Sequence, residues 1–441
     1  MFSSGEKEFV TWAKARNMII LILIVGLIIR FVLMPISASP QDIAVWAAFN
    51  DSIFSGDTIY EAGRNWYPPI WGYFLSVIGA FTNLAGMGSF GDVFTTVYTG
   101  SPLVLQYGFL TNLSYTAIVK IPAVIFDILG ALGAYLLVKK LTGDQKKAVI
   151  GFALWFLAPV VIMSSSVLNM FDSIMVTLMI FSLLTFMNRK YLLAGMLLAL
   201  AVYTKMFAAV LIPIMIAYLI SEREITPNER VKNILIAIAG FLIVTAIVYL
   251  PTILGGEFSD SINFFTARHE SYSGFSTGGG LGNFFFYIPI LAVAYTAIFA
   301  IMFLRKTERE KTFLWLTVVS IVLIFSLPLV SYTPTYGITM LPAILILYSL
   351  KGKIALIPWA LTILFPIHGM LHYMGTLLYP LGAAGAVNFA DVSLLVHSTI
   401  YNLVLIAMPI AGMSVIAIFV YYLTMKKKEV KNWKSILIGS E

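Results

Sequence analysis

Apolar runs long enough to cross a bilayer recur along this chain from Met18 to Met425. A helix needs about 20 such residues to span the hydrocarbon core. Because a backbone surrounded by lipid must satisfy its own hydrogen bonds, few folds other than packed helices are compatible with such a chain. The 441 residues are 60% hydrophobic and 11% charged, which excludes a soluble globular protein. The sequence therefore predicts an all-α integral membrane protein.

Basic residues are concentrated in short clusters between the apolar runs. The clusters lie at residues 7–16, 139–147, 189–190, 223–232, 305–311, 351–353 and 426–434. One alternating topology puts all of them on the same side, which the positive-inside rule makes the cytoplasm. The net charge of +7 therefore indicates membrane topology and gives no reason to expect a nucleic-acid partner. The five basic residues outside these clusters are Arg30, Arg64, Lys120, Lys205 and Arg268.

This alternation predicts about 12 transmembrane helices in a single polytopic domain, residues 1–441, with both termini in the cytoplasm. The spans are expected at about 18–36, 117–138, 148–166, 173–187, 191–203, 206–220, 234–250, 284–304, 312–330, 337–350, 354–374 and 398–425. The first run lacks a small-residue cleavage site and is expected to stay as a span. A long exterior loop, residues 37–116, follows it and carries interfacial helices. Pro69–Leu84 is apolar enough to be a span, but a span there would invert the topology and put the 139–147 cluster outside, so the segment is assigned to that loop. Because Pro68 and Pro69 do not fit inside a regular helix, it is expected to be a re-entrant or interfacial helix.

The segment Ser39–Asp42 has the pattern of a helix start at the outer membrane surface. Ser39 suits the N-cap, Pro40 the first helical position and Asp42 the first turn. A carboxylate there offsets the helix dipole, which is a purely structural interpretation. The apolar residues that follow, including Trp46, predict an interfacial helix that holds Asp42 where a hydroxyl substrate meets the membrane. A general base is the functional interpretation.

Several further motifs follow Asp42 in a fixed order. They are residues 56–60, Tyr67–Pro69, Lys120–Asp127, Asn169–Ser173 and Leu200–Lys205. With the exterior acid, this order over residues 20–350 resembles the GT-C superfamily of membrane glycosyltransferases. It is most similar to the enzymes that use polyprenyl-phosphate hexoses. Residue 44 is Ala where some relatives carry the second acid of an Asp-x-Asp pair, so the nearest subfamily stays open.

The resemblance implies a hexosyltransferase whose catalytic module is residues 1–350, with additional spans in 351–441. Such an enzyme transfers mannose or glucose, with inversion, from a polyprenyl- or dolichyl-phosphate sugar to a lipid-linked or protein glycan acceptor. The reaction takes place on the non-cytoplasmic face of a prokaryotic plasma membrane or of the ER, with Asp42 as base. It requires no cofactor, although the exterior acids could hold a divalent metal. Membrane lipid is the other expected partner.

The leaving group of that reaction is a lipid phosphate, so exterior cations are candidate ligands. The candidates are Lys205, Lys120, Arg268 and His269. Lys205 has the alternative of snorkelling from the end of a span, and Arg268 that of a solvated loop charge. The resemblance adds further residues expected to bind substrate, and these are Asp172, Asp57, Tyr67, Tyr332 and Tyr336. Tyrosines also collect at membrane interfaces without binding anything.

Charges inside spans are costly, so Arg30 and Asp127 are expected to pair for structural reasons. His368 and His372 would share a helix face, but no acid accompanies them and no metal site is predicted. The main functional alternative is a secondary transporter or a flippase for lipid-linked sugars. Transporter sites lie near the membrane midplane, whereas here Asp127 is the one acid clearly inside a predicted span. A non-catalytic scaffold would not need the acid-rich exterior loop.

Overall fold

The computed structural model describes residues 4–60, 67–85, 94–96, 108–110, 113–261, 281–304, 308–326 and 334–367. Most of these residues are helical. The helices are α1 Ser4–Ile36, α2 Pro40–Phe54, α3 Pro69–Leu84, α4 Leu113–Ile118, α5 Ile121–Thr142, α6 Gln145–Phe156, α7 Pro159–Ile162, α8 Asp172–Met187, α9 Tyr191–Thr204, α10 Leu211–Ile220, α11 Pro227–Leu254, α12 Leu281–Leu304, α13 Arg309–Ser326, α14 Leu341–Lys351 and α15 Leu356–Leu361.

Short non-α elements complete the described chain. A π-helical turn, Met163–Val167, follows α7, and 3-10 turns occupy Met206–Val210, Pro334–Met340 and Gly352–Ala355. The predicted exterior loop also contains a small antiparallel ribbon that the sequence did not predict. Its strands, β1 Phe94–Thr96 and β2 Gly108–Leu110, pair Phe94 with Leu110.

Four helical stretches among the described residues are long and apolar enough to cross a membrane. They are 13–36, 113–142, 227–254 and 335–367. The helical segments Gln145–Phe156 and Pro159–Val167, which are bent by 40° relative to each other, would make a fifth if they form one span. Further apolar helices, including α8 and α9, are shorter. An integral membrane protein is thus supported, and the count of twelve spans stays a prediction. Its last span, 398–425, lies outside the described residues.

The basic turns meet at one end of the bundle, as their predicted common side requires. Lys140 Nζ donates to Asn188 Oδ1 at 2.7 Å, which joins the turn after α5 to the turn after α8. Glu222, after α10, pairs with Arg189 at 3.6 Å and with Arg309 of α13 at 3.9 Å. These contacts define the basic end of the molecule.

Inside the bundle, the predicted pair of Arg30 and Asp127 is confirmed. Arg30 Nε donates to Asp127 Oδ2 at 2.8 Å, and both side chains are fully buried. Ser165 of the π-helical turn donates to the same oxygen at 2.6 Å. The Arg30 guanidinium also lies 4.2 Å from the centre of the Phe156 ring. The pair therefore ties α1, α5, α6 and the π-helical turn together.

Helices α9 and α11 approach each other at two glycines. A Cβ on Gly195 would come within 2.0 Å of the Ala237 carbonyl oxygen, and one on Gly240 within 2.1 Å of the Leu192 carbonyl oxygen. Only glycine permits backbones to lie this close. The far end of α11 is held to α3, because Tyr73 Oη donates to the Val248 carbonyl at 2.7 Å.

Candidate functional site

Asp42 lies in the first turn of α2, and the predicted helix start at Pro40 is confirmed. The Ser39 hydroxyl donates to the Asp42 carboxylate, which is half-buried. Trp46, one turn further on, is buried and donates its Nε1–H to the Asn169 carbonyl at 3.4 Å. Residues four apart share a helix face, so Asp42 lies on the side of α2 that faces the turn before α8.

Aromatic rings from α2, α3 and that turn pack into one cluster. Trp71 stacks on Phe171 with ring centres 4.5 Å apart, and Tyr67 meets Phe171 edge-on at 4.9 Å. Trp46 packs against Trp71 at 5.6 Å. We call these four residues the aromatic cluster. Pro68 and Pro69 begin α3, as expected from their poor fit inside a helix, and so place Tyr67 and Trp71 within this cluster.

Lys205 projects from an extended residue between α9 and the following 3-10 turn, and its side chain is 4% exposed. Its Nζ lies 2.6 Å from Asp172 Oδ1. Three rings surround the ammonium, with centres 4.5 Å away for Tyr336, 5.2 Å for Phe171 and 5.6 Å for Tyr67. Within the described residues Asp172 is the hydrogen-bond acceptor of Lys205, so an ammonium with three N–H donors has capacity left over.

The turn before α8 contributes buried polar atoms with no partner in the described part of the chain. These are Asp172 Oδ2 and both side-chain polar atoms of Asn169. Asn169 is also held in the left-handed region at φ 59°. An unsatisfied buried polar group costs about 1–3 kcal/mol, so three of them around one turn are a substantial deficit. These atoms call for a partner that the described residues do not supply, such as an ordered water or a ligand.

Asn169 and Trp71 were not predicted as site residues. Asn169 belonged to a recognised motif, and its tolerance of the left-handed region was a usable signal. Trp71 carries an indole N–H without a partner among the described residues, but nothing in the sequence distinguishes it from the other apolar residues of α3.

Lys120 has a structural role that differs from the predicted phosphate contact. Its fully buried Nζ donates to the carbonyls of Met34 at 2.7 Å, Ser166 at 3.0 Å and Ser37. All three N–H donors are thus used to hold the end of α1 against the π-helical turn. In the structure Lys120 belongs to this junction, and its contact with a donor phosphate stays a prediction.

The remaining predicted site residues fall into three groups. Tyr67 and Tyr336 contact Lys205, as given above. Asp57 is exposed just after α2 and accepts a hydrogen bond from Ser52, and no described contact joins it to Lys205. Arg268, His269 and Tyr332 lie outside the described residues, as do His368 and His372. The structure therefore brings together Lys205, Asp172, Tyr67 and Tyr336, with Asp42 on the neighbouring helix.

Residues 108–250 match a family model described as dolichyl-phosphate-mannose-protein mannosyltransferase. The match includes Asp172 and Lys205 and confirms, over this part of the chain, the resemblance to GT-C glycosyltransferases. At the level of the family it supports a membrane glycosyltransferase that uses a dolichyl-phosphate-linked sugar. Asp42 lies before the matched segment. No curated protein matches the chain in a sequence comparison.

Proposed function

We propose that this protein is an inverting hexosyltransferase of the non-cytoplasmic membrane face. It would transfer mannose or glucose from a polyprenyl-phosphate sugar to a lipid-linked or protein glycan acceptor. The observation that carries the proposal is the buried Lys205 ammonium, which is enclosed by three rings and Asp172 and retains unused hydrogen-bond donors. It belongs to the segment that matches a glycosyltransferase family.

The leaving group gives Lys205 its role. When the bond between the sugar C1 and the phosphate oxygen breaks, its electron pair stays on the phosphate, which gains a negative charge. An ammonium in a water-poor site stabilises that charge more strongly than one in bulk water. Lys205 can keep its contact with Asp172 and direct its other N–H groups to the phosphate. Arg268 and His269, from the exterior segment after α11, are the proposed supporting cations, and Tyr332 and Tyr336 line the donor site.

The acceptor side of the reaction is assigned to the neighbouring acids. The acceptor hydroxyl oxygen attacks C1 while its proton passes to the Asp42 carboxylate. Asp172 has an oxygen beside Lys205 that lacks a partner among the described residues, and it is suited to bind a second hydroxyl of the acceptor or the sugar. Tyr67 would pack against a sugar ring, and Asp57 would contact the acceptor further out.

The test is a transfer assay with purified full-length protein in proteoliposomes. The donor is radiolabelled polyprenyl-phosphate mannose in one set of reactions and radiolabelled polyprenyl-phosphate glucose in another. Asp42→Asn should lose at least about 10²-fold in transfer, the usual scale for a general base, while donor binding persists. Asp260→Asn is the matched control, because Asp260 is an exposed acid just after α11. Near-wild-type transfer in Asp42→Asn would remove Asp42 from the mechanism. Uptake of labelled sugar into the vesicles without transfer would favour a transporter.

A further inference from the structure

A groove of about 700 Å³ lies between the first turns of α9 and of α11, far from the aromatic cluster. It is at the basic end of the bundle. Lys190 and Lys232 stand at its rim, and its floor is apolar, formed mainly by Leu192, Leu193, Met196 and Ile236. A cationic rim above an apolar floor is suited to an amphiphile with an anionic headgroup.

Two acids, Glu222 and Glu229, line the groove together with Arg189, and Glu222 Oε2 has no partner among the described residues. Glu222 pairs with Arg189 and Arg309, and Glu229 accepts hydrogen bonds from the backbone and hydroxyl of Thr226 in a capping box. Lys190 and Lys232 form no ion pair with any acid in the described ranges. The three cations that line the groove, Arg189, Lys190 and Lys232, exceed its two carboxylates, so the groove keeps a net positive charge that favours an external anion.

The position along the helices suits a lipid headgroup. Lys190 directly precedes α9, and Lys232 lies in the second turn of α11, just where long apolar surfaces begin. Leu192 and Leu193 are 44% and 42% exposed, and Leu235 is 58% exposed. Exposed leucines of this kind face lipid in a membrane-spanning bundle. The lysines thus lie at the level where headgroups meet acyl chains.

A second, shallow depression of about 500 Å³ lies on the surface of α11 beside the first groove and is lined by residues of α11 alone. The two share Lys232 and Ile236 and continue over apolar residues on either side of them. One headgroup at Lys232 would therefore have an apolar track available for each of two chains. This arrangement fits a glycerophospholipid better than a single-chain polyprenyl lipid.

We propose that the groove between α9 and α11 and the depression beside it bind an anionic glycerophospholipid, with its phosphate between Lys190 and Lys232 and one acyl chain along each. A headgroup with net negative charge is favoured, because the cation of a zwitterionic headgroup would be repelled by the same two lysines. The proposal depends only on the protein lying in a membrane and is independent of the proposed transferase activity.

The experiment uses the full chain in nanodiscs of phosphatidylcholine with a minor fraction of phosphatidylglycerol. Native mass spectrometry then counts the lipid molecules that stay bound when the protein is released from the nanodisc. The wild type should retain phosphatidylglycerol preferentially. Lys190→Gln with Lys232→Gln should weaken that retention about tenfold or more, since each surface lysine contributes about a factor of five toward an anionic lipid. Lys146→Gln with Lys147→Gln, exposed lysines at the same end and outside the groove and the depression, should leave it unchanged.

A third variant, Leu193→Trp, fills the floor without altering charge and should also release the lipid. Equal retention of phosphatidylglycerol in the wild type and in Lys190→Gln with Lys232→Gln would overturn the proposal. The proposal would be overturned in favour of a free-anion site by two results together. Lys190→Gln with Lys232→Gln would lose the lipid while Leu193→Trp keeps it, and inorganic phosphate would displace the lipid from the wild type. Preferential retention of polyprenyl phosphate would overturn it in favour of a single-chain lipid.

Discussion

Two buried ion pairs in the described part of this protein have similar contact distances and different surroundings. Arg30 and Asp127 meet at 2.8 Å within the bundle, and Lys205 and Asp172 at 2.6 Å near the aromatic cluster. Arg30 also donates to the Gly26 carbonyl, and Asp127 also accepts from Ser165, so backbone and neighbouring helices hold the first pair in place. Lys205 and Asp172 belong instead to helix ends, with rings in place of further hydrogen bonds. Both pairs leave a carboxylate oxygen without a partner among the described residues, Asp127 Oδ1 and Asp172 Oδ2. The second pair differs in its place at helix ends, beside the aromatic cluster.

The largest effect is expected from breaking the inner pair. Asp127→Leu leaves the Arg30 charge buried without compensation and should lower the free energy of unfolding by about 3–5 kcal/mol. The combined variant Arg30→Met with Asp127→Leu removes both charges and should recover most of the loss. Thermal unfolding in detergent measures both. If the single variant is as stable as the wild type, the pair does not hold the bundle together.

The second test breaks the outer pair. Lys205→Met should weaken binding of a non-hydrolysable polyprenyl-phosphate sugar about tenfold or more, because a charge-assisted phosphate contact is lost. Its cost in stability should be smaller than that of Asp127→Leu, since Asp172 begins α8, where the helix dipole favours a carboxylate. Lys205→Arg should recover part of the affinity. Unchanged affinity in Lys205→Met would mean that the phosphate is bound elsewhere, and Arg268 would be tested next.

Asn169 offers a test in which stability and activity should change in opposite directions. Asn169→Gly removes a buried amide without partners in the described chain and suits the left-handed backbone, so stability should rise by about 1 kcal/mol. If the amide binds substrate, transfer should fall about fivefold, the scale of one hydrogen bond. Calorimetry and the transfer assay on the same preparation check both. Unaltered transfer would exclude Asn169 from substrate binding.

The smallest effect is expected from an exposed carboxylate at the basic end, in contrast to the two buried ones. Asp144 caps α6, and hydrogen bonds from the backbone N–H of Lys147 and Lys146 lower its pKa from 3.8. Its contribution to stability is therefore complete above about pH 3.8 and is lost as the pH falls through the lowered pKa. Asp144→Asn keeps a good cap but does not titrate, so it should reduce the loss of stability on acidification. Unfolding curves at neutral and acidic pH measure this.

Sequence patterns predicted the features that depend on periodicity, helix termini and charge placement. The pairing of Arg30 with Asp127, the start of α2 and the meeting of the basic turns all follow from rules that act locally or across the whole membrane. The contacts of Lys120 could not be predicted in this way. Its partners are the backbone carbonyls of Met34, Ser37 and Ser166, and no sequence pattern specifies which carbonyls a helix end leaves without a partner. The stacking of Trp71 on Phe171 likewise depends on packing between distant segments.

The close glycine contact between α9 and α11 lies midway along α11, so a change there affects both halves of the helix. Gly240 lies at the middle of this helix of 28 residues, so each arm is about 20 Å long. One arm forms a wall of the basic groove, and the other holds α3 through Tyr73. A side chain at position 240 would meet the Leu192 carbonyl oxygen and force the backbones of α9 and α11 apart. A single methyl group at position 240 is therefore expected to displace the groove between α9 and α11 and also the helix that carries Trp71.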